Sequence, residues 1–152
     1  MFFCFSFSMT PLNNPTVLLH HPVSLDDWNL ARTLFLEYAS SLKINLCFQG
    51  FENELANLPG EYAAPRGALL LATVNGIVAG CCALRPLDSS DYSNASEMKR
   101  LFVRNDFRGL GIGRLLTEGI LESAQKAGYS CVLLDTLDDM ESARALYEDL
   151  GF

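Results

Sequence analysis

No lysine or arginine precedes Arg32, no pair of cysteines is spaced as CxxC, and no apolar run approaches the ~20 residues of a membrane span. The first absence removes the basic n-region of a secretory signal. The apolar stretch Met1 to Met9 (Phe2, Phe3, Phe5 and Phe7 among its residues) is therefore read with residues 1–15 as a disordered leader. Met9 offers a second start, and a membrane or targeting role is the other reading of that stretch. The second absence, with an odd total of five cysteines (Cys4, Cys47, Cys81, Cys82, Cys131), excludes a disulfide framework and a zinc site. A reducing cytoplasm fits such cysteine usage. Adjacent Cys81 and Cys82 should point to opposite faces of a strand. Positive charge is also scarce: 11 basic against 18 acidic residues leave a net charge of −7. That balance argues against nucleic acid as a partner. It suits a cationic substrate, although acidic solubility is the commoner reason for it.

Hydrophobic residues are plentiful, at 49% of 152, enough for one domain over residues 16–152. Thr16 to His20 reads as a strand. Ser24, with Asp27 three residues on, opens a helix whose apolar positions are Ala31, Leu34, Phe35, Tyr38, Ala39 and Leu42. A short helix carries Phe51, Leu55 and Leu58 and stops at Pro59-Gly60. Ala68–Val74 and Ile77–Leu84 flank Asn75-Gly76, a type I′ hairpin signal. A polar loop with Asp88 and Asp91 leads to a strand over Glu97–Val103. Ile112, Leu115, Leu116, Gly119, Ser123 and Ala127 mark the next helix, capped at Gly128. Cys131–Leu134 reads as a buried strand, and Ala143, Leu146, Tyr147 and Leu150 as a final helix closed by Gly151. A hairpin followed by a parallel β-α-β crossover implies a mixed α/β sheet, mostly antiparallel, with helices on its faces.

The chemically informative stretch is Arg108-Gly109-Leu110-Gly111-Ile112-Gly113-Arg114, between a predicted strand and a predicted helix. Glycines admit close approach of backbone amides to an anion, and a helix start adds unpaired N–H groups and partial positive charge. Arg108 and Arg114 add full charges, so the turn reads as a pyrophosphate cradle. A tight connection without ligand is the plain alternative. The dinucleotide fingerprint GxGxxG fails, because Leu116 stands sixth from Gly111, and the P-loop pattern lacks its Lys-Ser or Lys-Thr.

Glu97-Met98-Lys99-Arg100-Leu101-Phe102-Val103, then Arg108, Gly111 and Gly113 as R-x-x-G-x-G, then Ala143 to Phe152, together resemble the acetyl-CoA-binding core of GNAT-type N-acetyltransferases in order and spacing. The resemblance implies a GNAT-like fold with a splayed cofactor cleft beside the strand that ends near Val103. Acetyl-CoA would be the cosubstrate and no metal would be needed. Its pantetheine would pair with backbone around Leu101, Phe102 and Val103. Its pyrophosphate would sit on the turn formed by Arg108, Gly109, Leu110, Gly111, Ile112, Gly113 and Arg114. The acceptor would be a primary amine of a small molecule or peptide. Tyr147 matches the family's general acid; packing is its other reading. Glu97 is the candidate base, directly or through water, with a solvated strand-end carboxylate as its other reading. A backbone N–H near Leu101 to Val103 is the candidate partner of the thioester carbonyl.

Glu97, Lys99, Leu101 and Val103 should share one face by alternation. Lys99 and Arg100 are read as surface charges, with pairing to a substrate carboxylate as the alternative. His20 and His21 are read as loop residues, Trp28 and Tyr38 as core, and Phe48, Phe51 and Tyr62 as lining of the acceptor pocket. Asn105 and Met140 depart from the Pro and Asn of many relatives. Relatives also continue beyond Gly151-Phe152 with two more strands, which are absent here. A truncated chain, a second copy covering the open edge beside Cys131–Leu134, or a catalytically silent CoA-binding module would each account for that. An unrelated nucleotide-binding domain is the remaining alternative.

Overall fold

The computed structural model describes residues 15–42, 50–135 and 141–152. The leader, Cys47, Phe48 and Met140 lie outside the described residues. Five strands form one sheet in the order β1-β2-β3-β4-β5: β1 Val17–His20, β2 Ala68–Val74, β3 Ile77–Leu87, β4 Ala95–Val103 and β5 Cys131–Leu134. The first three pairings are antiparallel and β4–β5 is parallel, which is the mixed sheet expected. The helices are α1 Leu25–Ser41, α2 Phe51–Ala56, α3 Ile112–Lys126 and α4 Glu141–Asp149.

Local chemistry fixes the element ends. Ser24 Oγ accepts from the Asp27 amide at 3.1 Å, and the Asp27 carboxylate accepts from the Ser24 amide at 3.2 Å, closing a reciprocal cap on α1. Asn75 and Gly76 both adopt positive φ (50° and 81°), as a type I′ turn requires. β3 runs three residues further than its apolar pattern suggests, because Arg85 to Leu87 keep pairing with Glu97 to Ala95.

Two cores sandwich the sheet. One face packs against α3 and α4 through Leu70, Cys82, Leu84, Met98, Ile112, Leu116, Ile120 and Tyr147. Burying a side chain such as Leu116 or Ile120 contributes roughly 1.5–3 kcal/mol. The other face packs against α1 and α2 through Leu34, Phe35, Phe51, Tyr62, Leu69, Leu71 and Cys81. Cys81 and Cys82 thus serve opposite cores, as alternation demands. Trp28 and Tyr38 pack partly buried against the α1 side. The His21 ring meets the Leu69 carbonyl oxygen at 2.9 Å, a structural contact.

Candidate active site

β4 is where the regular pattern breaks. The register passes from Cys81↔Phe102 to Ala83↔Lys99, so Cys82 alone stands opposite Arg100 and Leu101. Arg100 absorbs the extra residue with a left-handed φ of 59°. This bulge overturns the single face expected for Glu97, Lys99, Leu101 and Val103. Met98, Leu101 and Val103 all face the α3 core, which leaves Glu97 and Lys99 on the opposite, α1–α2 side. Just there the sheet also opens. β5 pairs with β4 only from Ala95 to Met98, and Lys99–Val103 has no strand partner on that side among the described residues.

Arg100 is not a surface charge. It is 5% exposed, and its guanidinium meets the Glu54 carboxylate at 2.9 and 3.2 Å. The Tyr38 and Phe51 rings flank it at 5.8 and 5.3 Å. Tyr62 donates its hydroxyl to the same carboxylate at 2.7 Å. Burial and the Glu54 charge push the Tyr62 phenol well above its ordinary range.

A cavity of about 570 Å³ lies against this part of β4. Glu97, Lys99, Leu101, Tyr62, Asp135 and Tyr147 are among its lining residues. Of the aromatic residues expected in an acceptor pocket, Tyr62 lines it. Phe51 does not: it is 5% exposed and packed in the α1-side core. Arg85 holds Glu97 through two nitrogens, at 2.8 and 2.7 Å, both directed to Oε2. A third nitrogen reaches Glu61 at 2.9 Å. Glu97 is therefore a member of an ion-pair chain on the cavity wall, with Oε1 outside the arginine contact.

Tyr147 projects from α4 to the same cavity and is 9% exposed. Burial pushes its phenol up, so the hydroxyl, protonated at neutral pH in any ordinary tyrosine, holds its proton more tightly here. Its ring packs edge-on to Phe152 at 5.8 Å. The final helix therefore packs against the sheet and contributes Tyr147 to the cavity wall.

At the other end of the opened segment, the glycine turn leads into α3. Gly109 and Gly111 have φ of 82° and 77°, and nothing lies within 4 Å of where a Cβ would stand on either. The turn is open, and Gly111 caps α3 without a side-chain hydrogen bond, leaving first-turn amides for an anion. The two arginines are less free than their sequence positions suggest. Arg108 Nε donates to the Val103 carbonyl at 3.1 Å, and Arg114 is paired with Asp149 of α4 and faces Glu118 at 3.9 Å. Ile112 is buried in the α3 core, while Leu110 is exposed.

Sequence reasoning missed Arg85, Glu54 and Glu61. They lie in β3, α2 and the 3₁₀ turn Gly60–Tyr62, and only the tertiary fold brings them to β4. Among the described residues, no cluster of three or more His, Cys, Asp or Glu is arranged for a metal ion, and no helix is long and apolar enough to cross a membrane.

Residues 32–152 match the model of the acetyltransferase (GNAT) family. An uncharacterized N-acetyltransferase of Schizosaccharomyces pombe is 38% identical over 145 residues, covering 95% of this chain and 85% of that protein. The N-acetylaspartate synthetase of Rattus norvegicus is 34% identical over 125 residues, which is 80% of this chain but 41% of that protein. In fold, a GNAT-family acetyltransferase of Staphylococcus aureus Mu50 superposes with a TM-score of 0.73 at 22% identity, covering 90% of this chain and 84% of that one.

Proposed function

The chain belongs to the GNAT acetyltransferase family, and from that premise we propose that it is an acetyl-CoA-dependent N-acetyltransferase acting on a primary amine of a small molecule or peptide. The observation that carries this reading is that β4 lacks a strand partner on one side from Lys99 to Val103 among the described residues, with the cavity that Tyr147 lines at the start of that segment and the open glycine turn of α3 following its end. An elongated donor with an anionic end and a reactive end fits that order.

Acetyl-CoA, when bound, supplies the acetyl group as a thioester. The amides of Gly109, Gly111, Gly113 and Arg114 hold its diphosphate, aided by the helix N-terminus and by Arg108. The free side of β4 from Leu101 to Val103 pairs with its amide-bearing arm in the manner of an added strand. A backbone N–H in the same segment supports the carbonyl oxygen. Tyr147, protonated at neutral pH, delivers a proton to the departing sulfur. Glu97 receives the proton of the acceptor ammonium through a water on Oε1, since Oε2 is engaged by Arg85. The relatives named N-acetylaspartate synthetase support a small amine as acceptor.

Thermal shift with acetyl-CoA tests the donor half: a stabilised fold is expected, and no shift at millimolar ligand contradicts the reading. Free-thiol release with a panel of amino acids, polyamines and peptides tests the transfer. Coenzyme binding without turnover on any of them favours a silent binding module.

A further inference from the structure

Among the described residues, the cavity wall carries three cations, Arg85, Lys99 and Arg100. Two are matched: Arg85 lies between Glu97 and Glu61, and Arg100 lies on Glu54. Lys99 has no ion-pair partner among the described residues, although it is half-buried and lines the cavity. Alternation places it on the same side of β4 as Glu97, and the bulge at Arg100 sends Leu101 and Val103 to the α3 core instead. A partly desolvated cation outside any ion pair is unfavourable, and two guanidinium groups nearby make it more so. Its pKa is held below the ordinary lysine range, by burial first and then by Arg100 and Arg85, with the carboxylates of Glu97 and Glu54 opposing more weakly. Among the described residues, Lys99 is thus the lining cation that makes no ion pair, on a wall that also carries the carboxylates of Glu54, Glu61, Glu97 and Asp135.

We propose that Lys99 is an acceptor-recognition residue that takes the carboxylate of a substrate carrying both an amine and a carboxylate, so that the acceptor class is amino acids. This rests on the acetyl-transfer reading above. The lining is matched to such a dipolar molecule. Lys99 meets the carboxylate, while Glu97 and Asp135 draw the ammonium end to the part of the cavity that Tyr147 lines. About 570 Å³ holds an amino acid with space remaining. A polyamine would bring only positive charge to Lys99 and leave its demand unmet.

The test compares amino acids with their decarboxylated and amidated counterparts, on the wild-type chain, Lys99→Met and Lys99→Arg. The wild type should acetylate and bind the amino acids in preference to both counterparts. Lys99→Met should raise KM for the amino acids by about 10- to 100-fold with kcat nearly unchanged, as loss of a charged hydrogen bond implies. It should leave KM for the counterparts unchanged, and Lys99→Arg should retain most of the preference. Calorimetry without acetyl-CoA gives a second readout, with amino-acid binding lost in Lys99→Met. Equal use of carboxylate-free amines by the wild type would overturn the proposal whatever the variants do. So would an equal fall in kcat on every acceptor in Lys99→Met, which marks a proton-transfer role instead. Failure of the underlying reading looks different: acetyl-CoA then gives no thermal shift and no acceptor is acetylated.

Discussion

The guanidinium of Arg100 and the carboxylate of Glu54 meet at 2.9 Å, and this pair holds the residue at which β4 leaves regular strand geometry. A left-handed φ on a non-glycine residue costs about 1–3 kcal/mol and persists only where its surroundings over-determine it. Here the surroundings are two aromatic rings, the Tyr62 hydroxyl and a carboxylate delivered by α2. The bulge in turn separates the acceptor-side residues Glu97 and Lys99 from Leu101 and Val103. The contact between α2 and β4 thus holds the bulge that divides these residues between the two faces of the sheet.

Glu54→Gln should destabilise the fold by about 2–3 kcal/mol, toward the lower end for a broken buried pair. The side chain of Glu54 keeps 19% of its surface exposed, which moderates the loss. Urea unfolding measures this. A double variant with Arg100→Met should lose less than the sum of the single losses, because the two residues act through one contact.

Tyr147→Phe tests the acid. Its hydroxyl makes no hydrogen bond among the described residues, so the melting temperature should stay within a degree or two of the parent (~0.5 kcal/mol). Thiol release should nevertheless fall about 10²- to 10⁴-fold. Activity within a few-fold of the parent would remove Tyr147 from the chemistry and leave it a packing residue.

Gly111→Ala separates backbone conformation from space. A methyl group there meets nothing within 4 Å, but φ is 77°. The left-handed conformation should cost about 1–2 kcal/mol or shift the turn. Either outcome disturbs the amides at the start of α3, so coenzyme A affinity by calorimetry should weaken. Unchanged affinity would argue that these amides do not hold the diphosphate.

Alkaline pH should unfold the chain earlier than neutral pH. The thiols of Cys81 and Cys82 and the phenols of Tyr38, Tyr62 and Tyr147 are all raised, chiefly by burial. Raised values mean that the folded state holds these protons more tightly than the unfolded chain. Their contribution is therefore intact below the ordinary values of 9.0 for the thiols and 10.0 for the phenols, and is lost as pH climbs above them. Lys99, shifted down from 10.5, works in the opposite sense but is one group against five. Urea midpoints should hold steady near pH 8 and drop by about pH 11.

Most elements were legible because their signals are local. The reciprocal cap of Ser24 and Asp27, the Asn75-Gly76 turn and the apolar stripes of α1 and α3 each arise within a few residues. The glycine turn was legible for the same reason, since positive φ and exposed amides belong to one short segment. The reading failed at Arg100, where alternation through β4 predicts one face and the bulge creates two. No residue in Lys99-Arg100-Leu101 signals a bulge, and arginine has no preference for left-handed φ.

Sequence alone determined the order of the elements, the mixed sheet and the segments that carry the candidate chemistry, because backbone propensity and side-chain periodicity act over short distances. Only the tertiary structure decided that Glu54, Arg85 and Glu61 complete the cavity wall, and that Lys99 lines the cavity with Glu97 yet makes no ion pair among the described residues. Charges separated by tens of residues pair only after the chain has packed, and burial then decides which of them keep a partner. The physical cause is that electrostatics and desolvation depend on distance in space, and sequence does not measure that distance.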